Sequence, residues 1–257
     1  LAYQNNFHTA CRPLVSLLKY TVKYEIILAG RVFIPEEWRS LMSKIELKEK
    51  VIEIAKKLYE RQLVNANEGN VSLRDGGLIY ITPSQVCKEL LTPDMIVVTD
   101  LAGNQVEGNL KPSSEIKLHL HIYSLRDDIG GIVHDHSPFA TAYAISRRPI
   151  ESKAYTEMLY FYDKIPVVDY GAPGTDKIVK GIGRYINRTD VMLLANHGLV
   201  AVGKDVYDAY LKAEAVESLA KTITISRLTG GECPLSPAEL DEMIEMRRKK
   251  LGKGRVE

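Results

Sequence analysis

From Glu46 onward apolar residues return at helical spacing. Leu47, Val51, Ile54, Ala55 and Leu58 fall on one stripe with Lys and Glu between them, which predicts an amphipathic helix to about Leu63. Residues 1–41 keep neither a period of 2 nor one of 3.6, so they are expected to be an N-terminal extension, poorly ordered or foreign to the native protein. The domain is then expected over 42–257, with Met42 as a candidate start. After the turn Glu68-Gly69-Asn70, the β-type runs Val71 to Leu73 and Leu78 to Thr82 flank Asp75-Gly76-Gly77 and predict a hairpin. Met95 to Thr99 and Gln105 to Glu107 predict a second one. Lys111-Pro112-Ser113-Ser114-Glu115 reads as the opening of a helix to about Leu125, because Pro, Ser and an acidic residue suit first-turn positions. Further along, a strand from Ile132 to His134 leads to an Ala-rich helix opened by Pro138, and Val167 to Asp169 reads as a short strand. A helix is expected from about Lys177 to Ile186, then buried strands Val191 to Ala195 and Leu199 to Val202. Asp205 caps a long helix to about Leu228, and Ser236-Pro237 opens a last one. Short strands alternating with helices, hairpins first, predict one α/β domain whose mixed or antiparallel sheet has helices on both sides.

With 257 residues, 45% of them hydrophobic and 26% charged, the chain can bury a full core. Lys plus Arg number 34 against 33 Asp plus Glu, a net charge of +1, so no overall field suits a nucleic acid or an acidic membrane; an anionic ligand must be held locally. Cys11, Cys87 and Cys233 are odd in number and widely spaced, which argues for a reducing compartment, and a cytoplasmic location is expected. The apolar region from Leu14 to Ile34 is broken by Lys19, Lys23, Glu25 and Arg31, too many charges for a membrane span.

Candidate chemistry concentrates at Ile132-Val133-His134-Asp135-His136. In an extended strand residues i and i+2 share a face, so His134 and His136 can share one cation at about 2.0–2.1 Å. The same spacing also suits a satisfied polar pair. His197, between a buried strand and Gly198, is either a turn histidine or the third nitrogen of a catalytic metal site with an open position. Glu115 is either a first-turn acid favoured by the helix dipole or a functional carboxylate. Ser113 and Ser114 at a helix start, with Asn70 and Ser84 in turns beside strands, are the residue types that make an anion site if they converge.

Taken together, Gly69-Asn70-Val71-Ser72, Thr82-Pro83-Ser84, Pro112-Ser113-Ser114-Glu115, Val133-His134-Asp135-His136 and Asn196-His197-Gly198-Leu199 resemble, in order and spacing, the class II aldolase and adducin head family. The likeness covers roughly Leu47 to Leu228 and is strongest to the fuculose-phosphate aldolases. It implies a single three-layer α/β/α domain with a central, mainly antiparallel sheet, in a homotetramer with sites between subunits. It also implies a Zn²⁺ ion, or another divalent ion, on His134, His136 and His197. Glu115 is implied as a ligand at rest and as the base when substrate displaces it. Asn70, Ser84, Ser113 and Ser114 are implied to bind the substrate phosphate, and Tyr155, or its neighbours Tyr160 or Tyr162, to serve as the acid. The expected reaction is cleavage of a ketose 1-phosphate, a small phosphorylated sugar, to dihydroxyacetone phosphate and a short aldehyde through a metal-stabilised enediolate. Gln85 departs from the pattern, since many relatives carry Gly there against the phosphate. Related readings are a sugar-phosphate 4-epimerase, a decarboxylase or a dehydratase. The epimerases typically carry Asp-Thr where this chain has Glu115-Ile116. A non-catalytic, adducin-like assembly domain would lack the metal residues, and all of them are here.

Overall fold

The computed structural model of the protein describes residues 36–252. It runs α1 (Glu36–Glu60), β1 (Asn70–Asp75), β2 (Leu78–Ile81), β3 (Val97–Asp100), β4 (Gln105–Glu107), α2 (Ile116–Leu125), β5 (Gly131–Asp135) and α3 (Pro138–Ile145). There follow β6 (Ile150–Glu151), β7 (Lys164–Ile165), β8 (Val167–Val168), α4 (Ile182–Tyr185), β9 (Val191–Leu194), β10 (Gly198–Gly203), α5 (Val206–Leu228) and α6 (Pro237–Leu251). Eight strands form one sheet in the order β4-β3-β2-β1-β5-β10-β9-β8, while β6 and β7 pair separately. Every neighbour in the large sheet is antiparallel except β8 beside β9. The α/β class and the mainly antiparallel sheet are as the sequence implied.

Both faces of the sheet are covered because its strands are apolar on both sides. Val71, Leu73, Val133, Leu199 and Ala201 face one core, packed with Val51, Ile54 and Leu58 of α1, Ala140 and Ala144 of α3, and Ala209, Ala213 and Val216 of α5. Ile79, Ile81, Ile132, Val200 and Val202 face the other, under Leu118 and Ile122 of α2 and Ile178, Ile182 and Ile186. Leu118 and Ile122 are fully buried, worth roughly 1.5–3 kcal/mol each in transfer free energy. Alternation along β1 and β5 then puts Asn70, Ser72 and His134 on the face that α2 covers, and the register pairs Asn70 with His134.

Three sequence expectations need correction. The first helix begins at Glu36, not Glu46; Pro35-Glu36-Glu37 is a helix-opening sequence, but residues 36–46 lack the apolar stripe that marks the rest. Of the expected extension, residues 1–35 lie outside the described residues. The sheet and the candidate site belong to the compact unit that begins at Leu47. Helix α2 begins at Ile116, and the residues ahead of it are divided: Pro112 bridges Pro83 and the Ser113 N–H donates to Thr82 O at 3.1 Å, while Ser114 and Glu115 form a turn closed by Ile116 N donating to Ser113 O at 3.0 Å. The cross-chain bonds of Pro112 and Ser113 keep those two residues out of the helix, which starts only after the turn. The helix expected over 177–186 contracts to Ile182–Tyr185, because Gly181 sits at φ +89° and Gly183 follows within the turn. Near the other end, Asp205 accepts from Asp208 N and Ser236 forms a capping box with Glu239, as expected of those helix starts.

Candidate active site

His134 is the penultimate residue of β5 and is fully buried; His136 follows where the strand gives way to α3. His197 stands on the three-residue turn joining β9 to β10, whose preceding Asn196 takes φ +58°, a conformation Asn tolerates. Gly198 is required for a different reason. A Cβ there would lie 2.4 Å from Asp135 O and 2.7 Å from His136 Cδ2, so only glycine lets the turn close onto β5. The three imidazoles meet with ring centroids 4.7–5.0 Å apart, and their ligand nitrogens lie within 4.8 Å of one another.

These donors fit a divalent cation. His134 donates from Nδ1 to Leu199 O at 2.8 Å, which leaves its Nε2 lone pair pointing into the cluster, the arrangement a metal-bound histidine adopts. His136 Nε2 lies 3.2 Å from His134 Nε2. Glu115 Oε2 is 3.0 Å from His134 Nε2, and Oε1 is 3.4 Å from His197 Nε2. Glu115 Oε1 and His197 Nδ1 are buried with no hydrogen-bond partner. So many acceptors aimed at one point need a positive charge among them. Burial pushes His136 down to about 4 and His197 to about 3, with His134 adding to each, so both are neutral and able to ligate near pH 7. Burial opposes ionisation of Glu115, but His134, His197 and the Asn70 amide outweigh it and hold the carboxyl well below the usual carboxylate range. For His134 burial is likewise outweighed, mainly by Glu115, and its affinity for a proton is raised.

The residues expected to bind phosphate come from three segments: the start of β1, the Ser84 loop and the Ser113-Ser114 segment. Ser84 N–H donates to Lys111 O at 3.0 Å, next to the Pro83–Pro112 bridge, so the Ser84 loop and the Ser113-Ser114 segment run side by side ahead of α2. Ser113 is buried and its Oγ accepts from Glu115 N, whereas Ser114 is exposed. Asn70 is buried and donates from Nδ2 to Glu115 Oε2 at 2.9 Å, which ties it to the carboxylate. Gln85 keeps the left-handed φ of +57° that glycine would favour, with its side chain exposed.

The tyrosines stand apart from this cluster. Tyr155 packs against the α1/α5 core and makes no hydrogen bond or ring contact with Glu115 or the histidines, and Tyr160 stacks edge-on against Phe161. Burial pushes the Tyr162 phenol up to about 12, and it lines a cavity of about 390 Å³ with Asp190, Asp208, Lys212 and Arg247. Sequence reasoning passed over two residues here. Glu68 reaches His136 Nδ1 at 3.4 Å, and His119, fully buried on α2, bonds Asn70. Glu115, which caps α2, and His119 and Tyr123 within it recur every four residues on the helix's apolar face, a polar stripe that helical periodicity can reveal.

Comparison with known proteins agrees with this geometry. The sequence model of the family described as Class II Aldolase and Adducin N-terminal domain matches residues 49–224. The chain is 40% identical over 181 residues to an L-fuculose phosphate aldolase of Methanocaldococcus jannaschii, covering 70% of this chain and 97% of that protein. It is 32% identical to a 5-methylthioribulose-1-phosphate/5-deoxyribulose-1-phosphate aldolase of Escherichia coli, covering 79% and 96%. Among solved structures, an L-fuculose 1-phosphate aldolase superposes with a TM-score of 0.71 at 33% identity, covering 78% of this chain and 95% of that one. The fold, the clustered histidines with their carboxylate and these likenesses all lead to one assignment: the chain belongs to the class II aldolase and adducin N-terminal domain family, as an enzyme of the aldolase, or aldehyde-lyase, type.

Proposed function

We propose that the protein cleaves a ketose 1-phosphate of the L-fuculose 1-phosphate type into dihydroxyacetone phosphate and a short aldehyde. The observation that carries this reading is the ionised, buried Glu115 lying within 3.4 Å of two of three clustered histidines. The named relatives differ in the aldehyde half of their substrates and share the ketose 1-phosphate half, so the dihydroxyacetone phosphate portion is the part expected to be common.

Held by His134, His136 and His197, Zn²⁺ or another divalent ion would supply electrophilic stabilisation for the negative charge that C3–C4 cleavage leaves on the substrate. Ser84, Ser113, Ser114 and Asn70 hold the phosphate ahead of α2, with the helix N-terminus favouring its charge. In the cleavage direction the C3–C4 electron pair stays with C3, and the proton of the C4 hydroxyl must leave as the aldehyde forms. In the condensation direction the Glu115 carboxylate takes a proton from C3 and the Tyr155 phenol gives one to the aldehyde oxygen; cleavage runs both transfers in reverse, Tyr155 receiving the C4 hydroxyl proton and Glu115 returning one to C3. On this reading Tyr155 serves the site of a neighbouring subunit in a homotetramer.

The test is product release from L-fuculose 1-phosphate, 5-methylthioribulose 1-phosphate and L-ribulose 5-phosphate by wild type and Glu115→Gln. The variant should keep its metal, held by three histidines, and lose about 10²–10⁴-fold in kcat. Wild-type turnover in the variant would exclude Glu115 as the base. Epimerised pentose phosphate from L-ribulose 5-phosphate, with no free dihydroxyacetone phosphate from either ketose 1-phosphate, would replace the aldolase reading with an epimerase.

A further inference from the structure

Behind the Glu115 carboxylate and Asn70 lies a line of buried polar side chains, Tyr123, Ser72 and His119, to which the reaction above assigns no part. The Tyr123 hydroxyl is 2.9 Å from Ser72 Oγ, and Ser72 Oγ is 2.6 Å from His119 Nδ1. His119 Nε2 is 2.5 Å from Asn70 Oδ1, and Asn70 Nδ2 is 2.9 Å from Glu115 Oε2. Ser72 and His119 are fully buried, with Tyr123 and Asn70 nearly so. Leu118, Ile122 and Ile132 pack the same layer, an expensive place to put four polar groups unless each is satisfied.

The direction of every hydrogen follows from the end of the line. An ionised carboxylate only accepts, so Asn70 must present its amide nitrogen to Glu115, and its Oδ1 must then accept from His119. That requires the proton on His119 Nε2. His119 has two uncharged partners and no contact with solvent, so it is neutral and carries one N–H. Its Nδ1 accepts from the Ser72 hydroxyl, and Ser72 Oγ accepts from Tyr123. With the other tautomer, Asn70 Oδ1 would lose its donor, and nothing would prevent the amide from turning that oxygen against the carboxylate.

We infer that His119 is a positioning residue: its Nε2–H fixes the Asn70 amide, which holds Glu115 Oε2 and leaves Oε1 as the oxygen that exchanges a proton with substrate. Oε1 is the carboxylate oxygen without a hydrogen-bond partner. This deepens the reading of Glu115 as the base and rests on it. The line also explains why Ser72, paired with Ile81 and Ile132 on its two sides, is polar in the interior of the sheet.

The experiment uses the zinc-loaded full chain and dihydroxyacetone phosphate in D₂O, where loss of the C3 proton signal reports the base without depending on the aldehyde. His119→Leu should slow this exchange about 10–100-fold, the usual cost of removing a partner that orients a catalytic group, with metal content unchanged. His119→Gln can still place an N–H toward Asn70 and should recover most of the rate. In ¹⁵N-histidine-labelled wild type, the resonances that vanish in His119→Gln should show the Nε2–H tautomer, which a merely space-filling histidine need not adopt. An Nδ1–H or doubly protonated ring, a wild-type exchange rate in His119→Leu, or a glutamine variant as slow as the leucine one would each overturn the inference. The tautomer is read on wild type, so the inference stays testable even where the leucine variant does not fold. Exchange by Glu115→Gln at the wild-type rate would instead remove the base reading and leave the tautomer to judge the hydrogen-bond line by itself.

Discussion

His136 offers the most direct test of the metal site, because it is the most exposed of the three histidines and contributes least to the interior. Its side chain is 21% accessible, against 0% for His134 and 11% for His197. His136→Ala should fold and lose its divalent ion by elemental analysis, since two histidines without a third leave an incomplete site. Full retention of the ion would remove the cluster from consideration as a metal centre. His119 makes a separate prediction about stability. Burial pushes its pKa from 6.5 down to about 3, with His134 adding to the effect and Glu115 opposing it. The unfolded chain therefore takes up a proton that the folded chain refuses, so stability from this group is complete above pH 6.5 and is lost as pH falls toward 3. Between pH 6.5 and 4.5 the loss is about 2–3 kcal/mol. His119→Gln lacks this term, so the gap in urea-unfolding free energy between wild type and variant should narrow as pH is lowered from 7 to 5. A constant gap would show that His119 titrates alike in both states. Of the two residues passed over, His119 had a sequence signal only in its spacing of four from Glu115 and Tyr123, while Glu68, a glutamate in a turn, carries none until its partner His136 is known.

At the scale of elements, the site depends on how closely the β9–β10 turn approaches β5. Gly198→Ala would drive a methyl into Asp135 O and the His136 ring, so either the strands part or His136 moves. The variant should bind metal more weakly and turn over more slowly, while its circular dichroism changes little; isothermal titration with Zn²⁺ against wild type measures the first effect. An unchanged affinity would mean that the turn can yield without disturbing the histidine. The start of α3 is held from outside: Glu217 of α5 accepts from Phe139 N at 3.0 Å and Ala140 N at 2.8 Å. That contact satisfies first-turn donors that Ser137 does not cap, and it fixes the chain just beyond His136. No local pattern could have announced it, since the two residues are 78 positions apart.

For the whole molecule, the continuous helix Glu36–Glu60 bears on where the domain begins. Within residues 41–47 no side chain is fully buried, and burial starts at Lys48. A chain starting at Met42 should therefore keep its activity and melting temperature, as differential scanning calorimetry would show; a fall of many degrees would mean that preceding residues stabilise the fold. The hairpins β1–β2 and β3–β4, the strands β5, β9 and β10, and the capped helices α5 and α6 were all legible, because alternation, turn residues and caps are local signals. The motifs also singled out His134, His136, His197 and Glu115, whose side chains come together in the fold. What the tertiary structure alone decided was relative placement. Pro83 bridging Pro112 set the start of α2, the antiparallel pairing of Asn70 with His134 brought β1 chemistry to the histidines, and Tyr155 was left apart from them. The tautomer of His119 belongs to the same class, since it depends on donors and acceptors from three elements distant in sequence. Sequence carries what a residue can do and what its immediate neighbours favour; which groups meet is set by nonlocal packing and hydrogen bonding.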